Sequence, residues 1–323
     1  MLNRRSFAKN AIVGIVGFGA ARYLKAQVVA PKPMINSVYE GVNLGVQSAS
    51  FTFSGMGIDE IVRTMRDVGL AQIDVMSEHV ENYLGAPVPL PGAGRPGPWV
   101  PRPPRPAGAR PSGPPPVDPA KRMALRNWRM DTDLARFHEV GQKFTDVGVR
   151  FFSYNLSVDD SFTDPELDKA FLMTKALGTR IITASSPVEV FPRLKPFAEK
   201  HDVIVALHNH TIGPKEFSSA MALSDKFWVN LDVGHFFASG YDPVAYIKEN
   251  HARITNIHIK DRKKNFGDSV PFGEGDTPLP AIFKLLKTER LTFPACIEYV
   301  GPSGPAIELS KCMQYCVDTI RNT

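Results

Sequence analysis

Cysteine is scarce: Cys296, Cys312 and Cys316 are the only three in 323 residues. Three thiols cannot build the disulfide framework of a small secreted module, although an oxidising compartment would permit one bridge. Cys312 and Cys316 stand four apart in a helical pattern, the spacing of side chains packed on one helix face. Long apolar runs are also missing. The weakly apolar stretch Ala11 to Ala21 is punctuated by glycine and falls short of the ~20 residues needed to span a bilayer. Finally, the body of the chain lacks an excess of either charge. The formal charge is +5, but the first 26 residues carry Arg4, Arg5, Lys9, Arg22 and Lys25 and no acid. The remainder is formally neutral, so charge gives no reason to expect a nucleic-acid partner.

Those first residues, Asn3-Arg4-Arg5-Ser6-Phe7-Ala8-Lys9 and the run that follows, resemble a twin-arginine export signal. The resemblance implies a signal peptide over 1–26, cleaved near Ala26, then a linker over 27–40. It also implies the twin-arginine export machinery as a partner and a periplasmic location. That route is associated with proteins that fold before export, often around a cofactor.

From Gly41 onward short apolar runs alternate with longer helical patterns, the signature of βα repeats and a parallel sheet. Eight strands are expected: Gly41–Gln47, Ala71–Met76, Arg150–Tyr154, Arg180–Thr183, Val203–Leu207, Phe227–Leu231, Ile254–Ile259 and Ala295–Tyr299. The intervening helical patterns include Gly57–Val68, Thr132–Val147, Pro165–Leu177, Pro243–Asn250, Leu279–Leu286 and Ala306–Ile320. Gly69, Gly148 and Gly178 are placed to end helices in a left-handed conformation. Eight repeats predict an α/β fold, a (β/α)8 TIM barrel over 41–323. One stretch breaks the pattern: 14 of the 28 prolines lie between Pro87 and Pro119, with Arg95, Arg102, Arg105 and Arg110. Such a composition forms neither a helix nor a paired strand interior. It predicts a loop insertion over about 85–120 at the carboxyl-terminal face of the barrel, where active sites of this architecture lie.

Four segments place a metal-ligating side chain at or just past the end of an apolar strand: Leu207-His-Asn-His210, Leu231-Asp-Val-Gly-His235, Ile257-His-Ile-Lys260 and Ile297-Glu-Tyr299. Their separation matches one strand–helix unit, so parallel strands would gather their ends. His208 is expected as a ligand and His210 as a substrate-binding neighbour. Asp232 is a second ligand, because an ionised carboxylate at a sheet end is costly unless paired or on a metal. It could instead cap a helix, but the next helix is expected only near Asp242-Pro243. His235 could enter the pocket and polarise a substrate oxygen. His258, flanked by isoleucines, points to the opposite face from them, the lumen. Lys260 shares its parity, and Arg262 could reach a substrate hydroxyl or phosphate. Glu298, inside an apolar strand, can bind a metal and exchange a proton. Glu274 in Gly273-Glu-Gly-Asp276 is a further substrate-binding candidate, and Glu78 and Glu81 follow the second strand. The set His208, Asp232, His258 and Glu298 mixes imidazole and carboxylate, which suits one Mn²⁺, Zn²⁺, Co²⁺ or Fe²⁺ ion better than Ca²⁺. His208-Asn209-His210 spells a nuclease motif, but the cysteine and hairpin of that motif are absent.

On Leu231-Asp-Val-Gly-His235, Asp242-Pro243 leading to His258-Ile-Lys-Asp-Arg262, Gly273-Glu-Gly275 and Ile297-Glu-Tyr299, the chain resembles the sugar phosphate isomerase/epimerase family. These are xylose-isomerase-like TIM barrels that include inosose dehydratases, hydroxypyruvate isomerases and ketose 3-epimerases. The resemblance runs from Gly41 to the C-terminus, outside the insertion. It implies a divalent metal held by a glutamate, an aspartate, a histidine and a glutamate on strands five to eight; the last three fall on Asp232, His258 and Glu298. At the first position this chain has His208 in place of the glutamate. Ketose epimerases use two glutamates on opposite faces of the substrate, so the change points to one-sided proton transfer by Glu298 with His208 and His235. The expected function is a metal-dependent sugar isomerase or epimerase with a carbohydrate substrate. The alternatives are a lyase or hydratase of keto-sugars (3-keto-glycosides or inososes) and a non-catalytic periplasmic sugar-binding barrel. A DNA-repair endonuclease of the related endonuclease IV type is disfavoured by export and by the lack of extra ligands for several zinc ions. Homo-oligomerisation is left open.

Overall fold

The apolar runs become strands that pair in chain order. The computed structural model describes residues 35–52, 56–87 and 118–323. The expected signal peptide, most of the linker and most of the proline-rich insertion lie outside the described residues. Among the described residues nine strands are formed: β1 (Val38–Tyr39), β2 (Val42–Gln47), β3 (Gln72–Met76), β4 (Arg150–Asn155), β5 (Ile181–Ala184), β6 (Ile204–His208), β7 (Phe227–Asp232), β8 (Ile254–Ile259) and β9 (Ala295–Ile297). Strands β2 to β9 pair parallel in that order, and β9 returns to β2 with Leu44 beside Ala295 and Val46 beside Ile297. The result is a closed eight-stranded parallel barrel with helices between successive strands.

Parity explains which residues point where. In β8, Ile257 and Ile259 are completely buried on the outer face, each burial stabilising the fold by about 1.5–3 kcal/mol. The alternate residue His258 reaches across the lumen to Asp74 of β3. Gly69, Gly148 and Gly178 do take left-handed conformations, with φ of 84°, 84° and 88°, and each lies just beyond a helix end. Part of the expected linker is structured: Val38–Tyr39 pairs antiparallel with β2 through a turn in which Glu40 and Gly41 both have positive φ, the geometry of a tight hairpin. Among the described residues no helix is long and apolar enough to cross a membrane.

Among the helices outside the expected patterns, one forms directly after the proline-rich stretch. Asp118 caps a helix over Pro119–Asp131 by accepting from the Ala120 and Lys121 amides, with proline at a first-turn position where its missing N–H costs nothing. Arg122, Arg126 and Arg129 recur at helical spacing and pin it to the barrel. Arg129 forms a fork on Glu81 (2.8 and 2.9 Å) and reaches Glu166 (3.0 Å), which Arg122 also meets at 2.6 Å. Glu81 also accepts from the Tyr154 hydroxyl at 3.3 Å. Glu81 is therefore occupied in this clamp, and Glu78 belongs to the same helix, Ser77–Tyr83.

Candidate metal centre

His208 ends β6, Asp232 ends β7, His258 is in β8, and Glu298 follows β9 by one residue, its amide continuing the ladder to the Ile259 carbonyl at 3.0 Å. Each of the four offers a ligand atom, and these atoms all lie within 4.8 Å of one another.

The remaining polar atoms of the two histidines are already used. His208 Nδ1 donates to Asn230 Oδ1 at 2.6 Å, which leaves Nε2 as its lone-pair nitrogen. His258 Nε2 donates to Asp74 Oδ2 at 2.9 Å, and Asp74 is itself held by Gln47 at 3.1 Å and Thr183 at 2.9 Å. A histidine whose second N–H goes to a carboxylate or amide oxygen is the usual arrangement at a metal. Two buried atoms, His258 Nδ1 and Asp232 Oδ2, meet only charged groups of the cluster itself, Glu298 Oε2 at 3.1 Å and Lys260 Nζ at 3.2 Å, and have no hydrogen-bond partner outside it, which leaves them available to an ion. The donor set therefore fits a divalent transition-metal ion. Replacing Asp74 with asparagine is expected to weaken metal affinity by about 10–100-fold, the usual consequence of losing a partner behind a ligating histidine. Titration with Co²⁺ followed by its visible absorption measures this, and an unchanged affinity would remove Asp74 from the centre.

Asp232 serves two purposes that sequence reasoning set against each other. A helix begins at once after it, over Val233–Ala238, rather than near Pro243; a second helix, Pro243–Asn250, begins there. Asp232 Oδ1 accepts from the His235 amide at 2.7 Å and so caps the first helix, while Oδ2 turns inward. The early start depends on Gly234, where a Cβ would collide with the Lys260 carbonyl. Asn209, the middle of the His-Asn-His triplet, exchanges two hydrogen bonds with the Asp232 backbone, 3.0 and 2.9 Å. That clamp keeps His208 and His210 together, with ring centroids 4.9 Å apart, and His210 is 5.0 Å from His235. His210 is exposed at the mouth.

Lys260 lies among the ligands: its Nζ is 2.6 Å from Glu298 Oε1, 3.2 Å from Asp232 Oδ2 and 3.1 Å from His235 Nε2. Burial opposes ionisation of Glu298, but Lys260 and His258 beside it hold its carboxyl well below the usual carboxylate range. Burial pushes Asp232 upward, with Lys260 only partly offsetting it. Burial, aided by neighbouring cationic groups, keeps His208 and His235 well below the usual imidazole range, hence neutral. At His258 burial acts downward, but the hydrogen bonds to Asp74 and Glu298 prevail and raise it to about 9.

Arg262 is tied to its own loop and to His235. It donates to the Gly267 and Phe266 carbonyls and contacts His235 Nδ1. Glu274 is exposed, in a loop that Asp261 anchors by accepting from the Gly273, Gly275 and Thr277 amides. Sequence reasoning missed Asp74, Asn209 and Asn230. Asp74 carried a usable signal, a carboxylate flanked by Ile73 and Val75 inside a strand, the same pattern that marked Glu298. A separate cavity of about 420 Å³ lies at the other end of the barrel, lined by Asn43, Gln72, Arg150, Trp228 and His251 among others. None of the four ligand residues borders it, so the convergent chemistry rather than the open volume locates the site.

The fold is a TIM barrel, and over residues 166–316 the chain matches the family model described as xylose isomerase-like TIM barrel. No curated protein matches the chain in sequence. Solved structures share the barrel. A sugar phosphate isomerase/epimerase from Parabacteroides distasonis is 15% identical, covering 87% of this chain and 96% of its own, with a TM-score of 0.58. The IOLI protein with a binding zinc atom is 15% identical over 87% of this chain and 99% of its own, TM-score 0.60. The probable 3-DHS dehydratase AsbF of Bacillus anthracis, involved in petrobactin synthesis, is 15% identical over 84% and 98%, TM-score 0.59. At such identities the likeness is one of fold, and chemistry has to be argued from the site.

Proposed function

We propose that the protein is a metal-dependent isomerase or epimerase that moves a proton beside the carbonyl of a carbohydrate. The observation that carries this reading is the convergence of His208, Asp232, His258 and Glu298, with the outer nitrogens of both histidines already committed. These four would hold one Mn²⁺, Zn²⁺, Co²⁺ or Fe²⁺ ion, which supplies Lewis-acid stabilisation of the charge developing on a carbonyl oxygen. The zinc atom in the IOLI protein supports a metal of this class.

The chain's own residues do the rest. Glu298, kept ionised by its neighbours, takes the proton from the carbon beside the carbonyl and returns it. His235 is neutral and meets the Arg262 guanidinium through Nδ1. Its proton is therefore on Nε2, from which it donates to a substrate oxygen. His210 at the mouth and Lys260 bind further hydroxyls. The resemblance of its N-terminal residues to a twin-arginine signal supports work in the periplasm, which favours free sugars and glycosides over sugar phosphates.

A second reading, lyase or hydratase of a keto-sugar, is favoured by the asymmetry of the centre. One carboxylate able to move a proton faces three imidazoles, His208, His210 and His235, within 6.3 Å of one another by ring centroid. Such a set can remove a proton at one carbon and protonate a leaving hydroxyl at the next. The dehydratase among the structural neighbours accords with it. Metal-loaded protein incubated in D₂O with ketoses, inososes and 3-keto-glycosides, followed by proton NMR, decides between them. Deuterium beside the carbonyl with the formula kept indicates isomerase or epimerase; an alkene, a hydrate or a released aglycone indicates lyase or hydratase. Saturable binding with neither outcome across the panel would overturn both in favour of a binding protein.

A further inference from the structure

Lys260 stands where two of the metal ligands meet, and its surroundings are unfavourable on one side. Its ammonium is 2.6 Å from Glu298 and 3.2 Å from Asp232, and both carboxylates are at the inner ends of the ligand set. The same ammonium is 3.1 Å from His235 Nε2. Arg262 faces the other ring nitrogen of His235 and is tied down by the Gly267 and Phe266 carbonyls. A neutral imidazole has one acceptor nitrogen, so it cannot accept from both cations. Arg262 is fixed by the loop, whereas Lys260 is on a flexible four-carbon stem. The lysine contact is the one that gives way.

We infer that Lys260 is the built-in cation of the metal-free centre: its ammonium bridges Asp232 and Glu298 until a divalent ion arrives, then leaves for the mouth of the barrel. The inference rests on the metal-centre reading. Without an ion, two buried carboxylates this close would repel each other, and the ammonium keeps them together and the ligand set assembled. With an ion present, an ammonium within hydrogen-bonding distance of its ligands is a like charge in the same space. Once displaced, Lys260 releases Glu298 Oε1 and uncovers His235 Nε2–H toward the substrate. The cost is a lower apparent metal affinity, since only molecules with the lysine swung out are competent to bind; if those are ~1–10% of the population, affinity falls by ~10–100-fold.

Two measurements on the full protein test this. Calorimetric titration with CoCl₂ compares wild type with Lys260→Met, with Lys260→Gln as the variant that keeps a hydrogen-bonding group should methionine prevent folding. The variant is expected to bind one Co²⁺ about tenfold or more tightly than wild type, and its metal-free form to melt at a lower temperature. Equal or weaker binding by the variant, with wild type still taking one ion, overturns the lysine exchange and leaves the metal centre standing. Absence of binding in both overturns both. In wild type, reductive methylation read by mass spectrometry reports on Lys260, which is 8% exposed. It should be protected without Co²⁺ and modified with it, and equal modification in the two states contradicts the exchange.

Discussion

Replacing Glu298 with glutamine is expected to lower kcat/KM by on the order of 10³ or more, the loss seen when a positioned base and a charged ligand go together. Glutamine keeps the shape and one oxygen, so the barrel should remain folded. It cannot take a proton, and it withdraws a negative charge from the ion. The expected pattern is a fall in kcat with metal affinity also reduced. His210→Ala, by contrast, should act mainly on KM, because that ring is exposed at the mouth and belongs to no ligand set. Steady-state kinetics on whichever sugar exchanges deuterium separates the two. Glu298→Gln retaining wild-type kcat would remove it from the proton transfer.

The second large effect concerns stability. Arg129→Met removes the guanidinium that bridges Glu81 and Glu166, whose side chains are both 0% exposed. Breaking a buried pair leaves charges without partners and costs about 3–5 kcal/mol. For a domain of this size that lowers the melting temperature by roughly 5–10 °C. The double change with Glu81→Gln should recover much of the loss, because Glu166 keeps Arg122 and Arg126 and no orphaned carboxylate remains. Burial opposes ionisation of Glu166, but Arg122 and Arg129 hold its pKa below that of an ordinary glutamate. A depressed carboxylate contributes stability that is full above that value and is lost as the pH falls through the folded-state pKa. The gap between wild type and Arg129→Met should therefore narrow in acid. A melting temperature unchanged at pH 7 would show that the clamp adds nothing.

The barrel was readable because its strands advertise themselves. Ile254–Ile259 and Pro243–Asn250 have the bounds expected, the first between polar ends and the second behind an Asp-Pro start. Strand ends drifted where the chain carries function: β6 and β7 run one residue further, into His208 and Asp232, and β9 stops one short of Glu298. Those polar residues resemble loop residues in sequence and are held in the sheet by the ladder. The four ligand candidates were legible because each breaks an apolar pattern. Their supports were not. Asn230 reaches His208 over 22 positions through the pairing of β6 with β7, and Asp74 reaches His258 over 184 only because the barrel closes. The helix over Pro119–Asp131 was obscured by the proline-rich stretch before it. Its arginines at 122, 126 and 129 reveal a face only once Glu81 and Glu166 are known to lie opposite. The double use of Asp232 was missed because cap and ligand were treated as alternatives, although a carboxylate has two oxygens.

The most direct test of the central claim is anomalous diffraction from a crystal of the protein grown with Mn²⁺ or Zn²⁺. One anomalous peak within about 2.0–2.2 Å of His208 Nε2, Asp232 Oδ2, His258 Nδ1 and a Glu298 oxygen is the result this account predicts. A protein that takes up the ion elsewhere, or a centre still filled by the Lys260 ammonium at saturating metal, would contradict it.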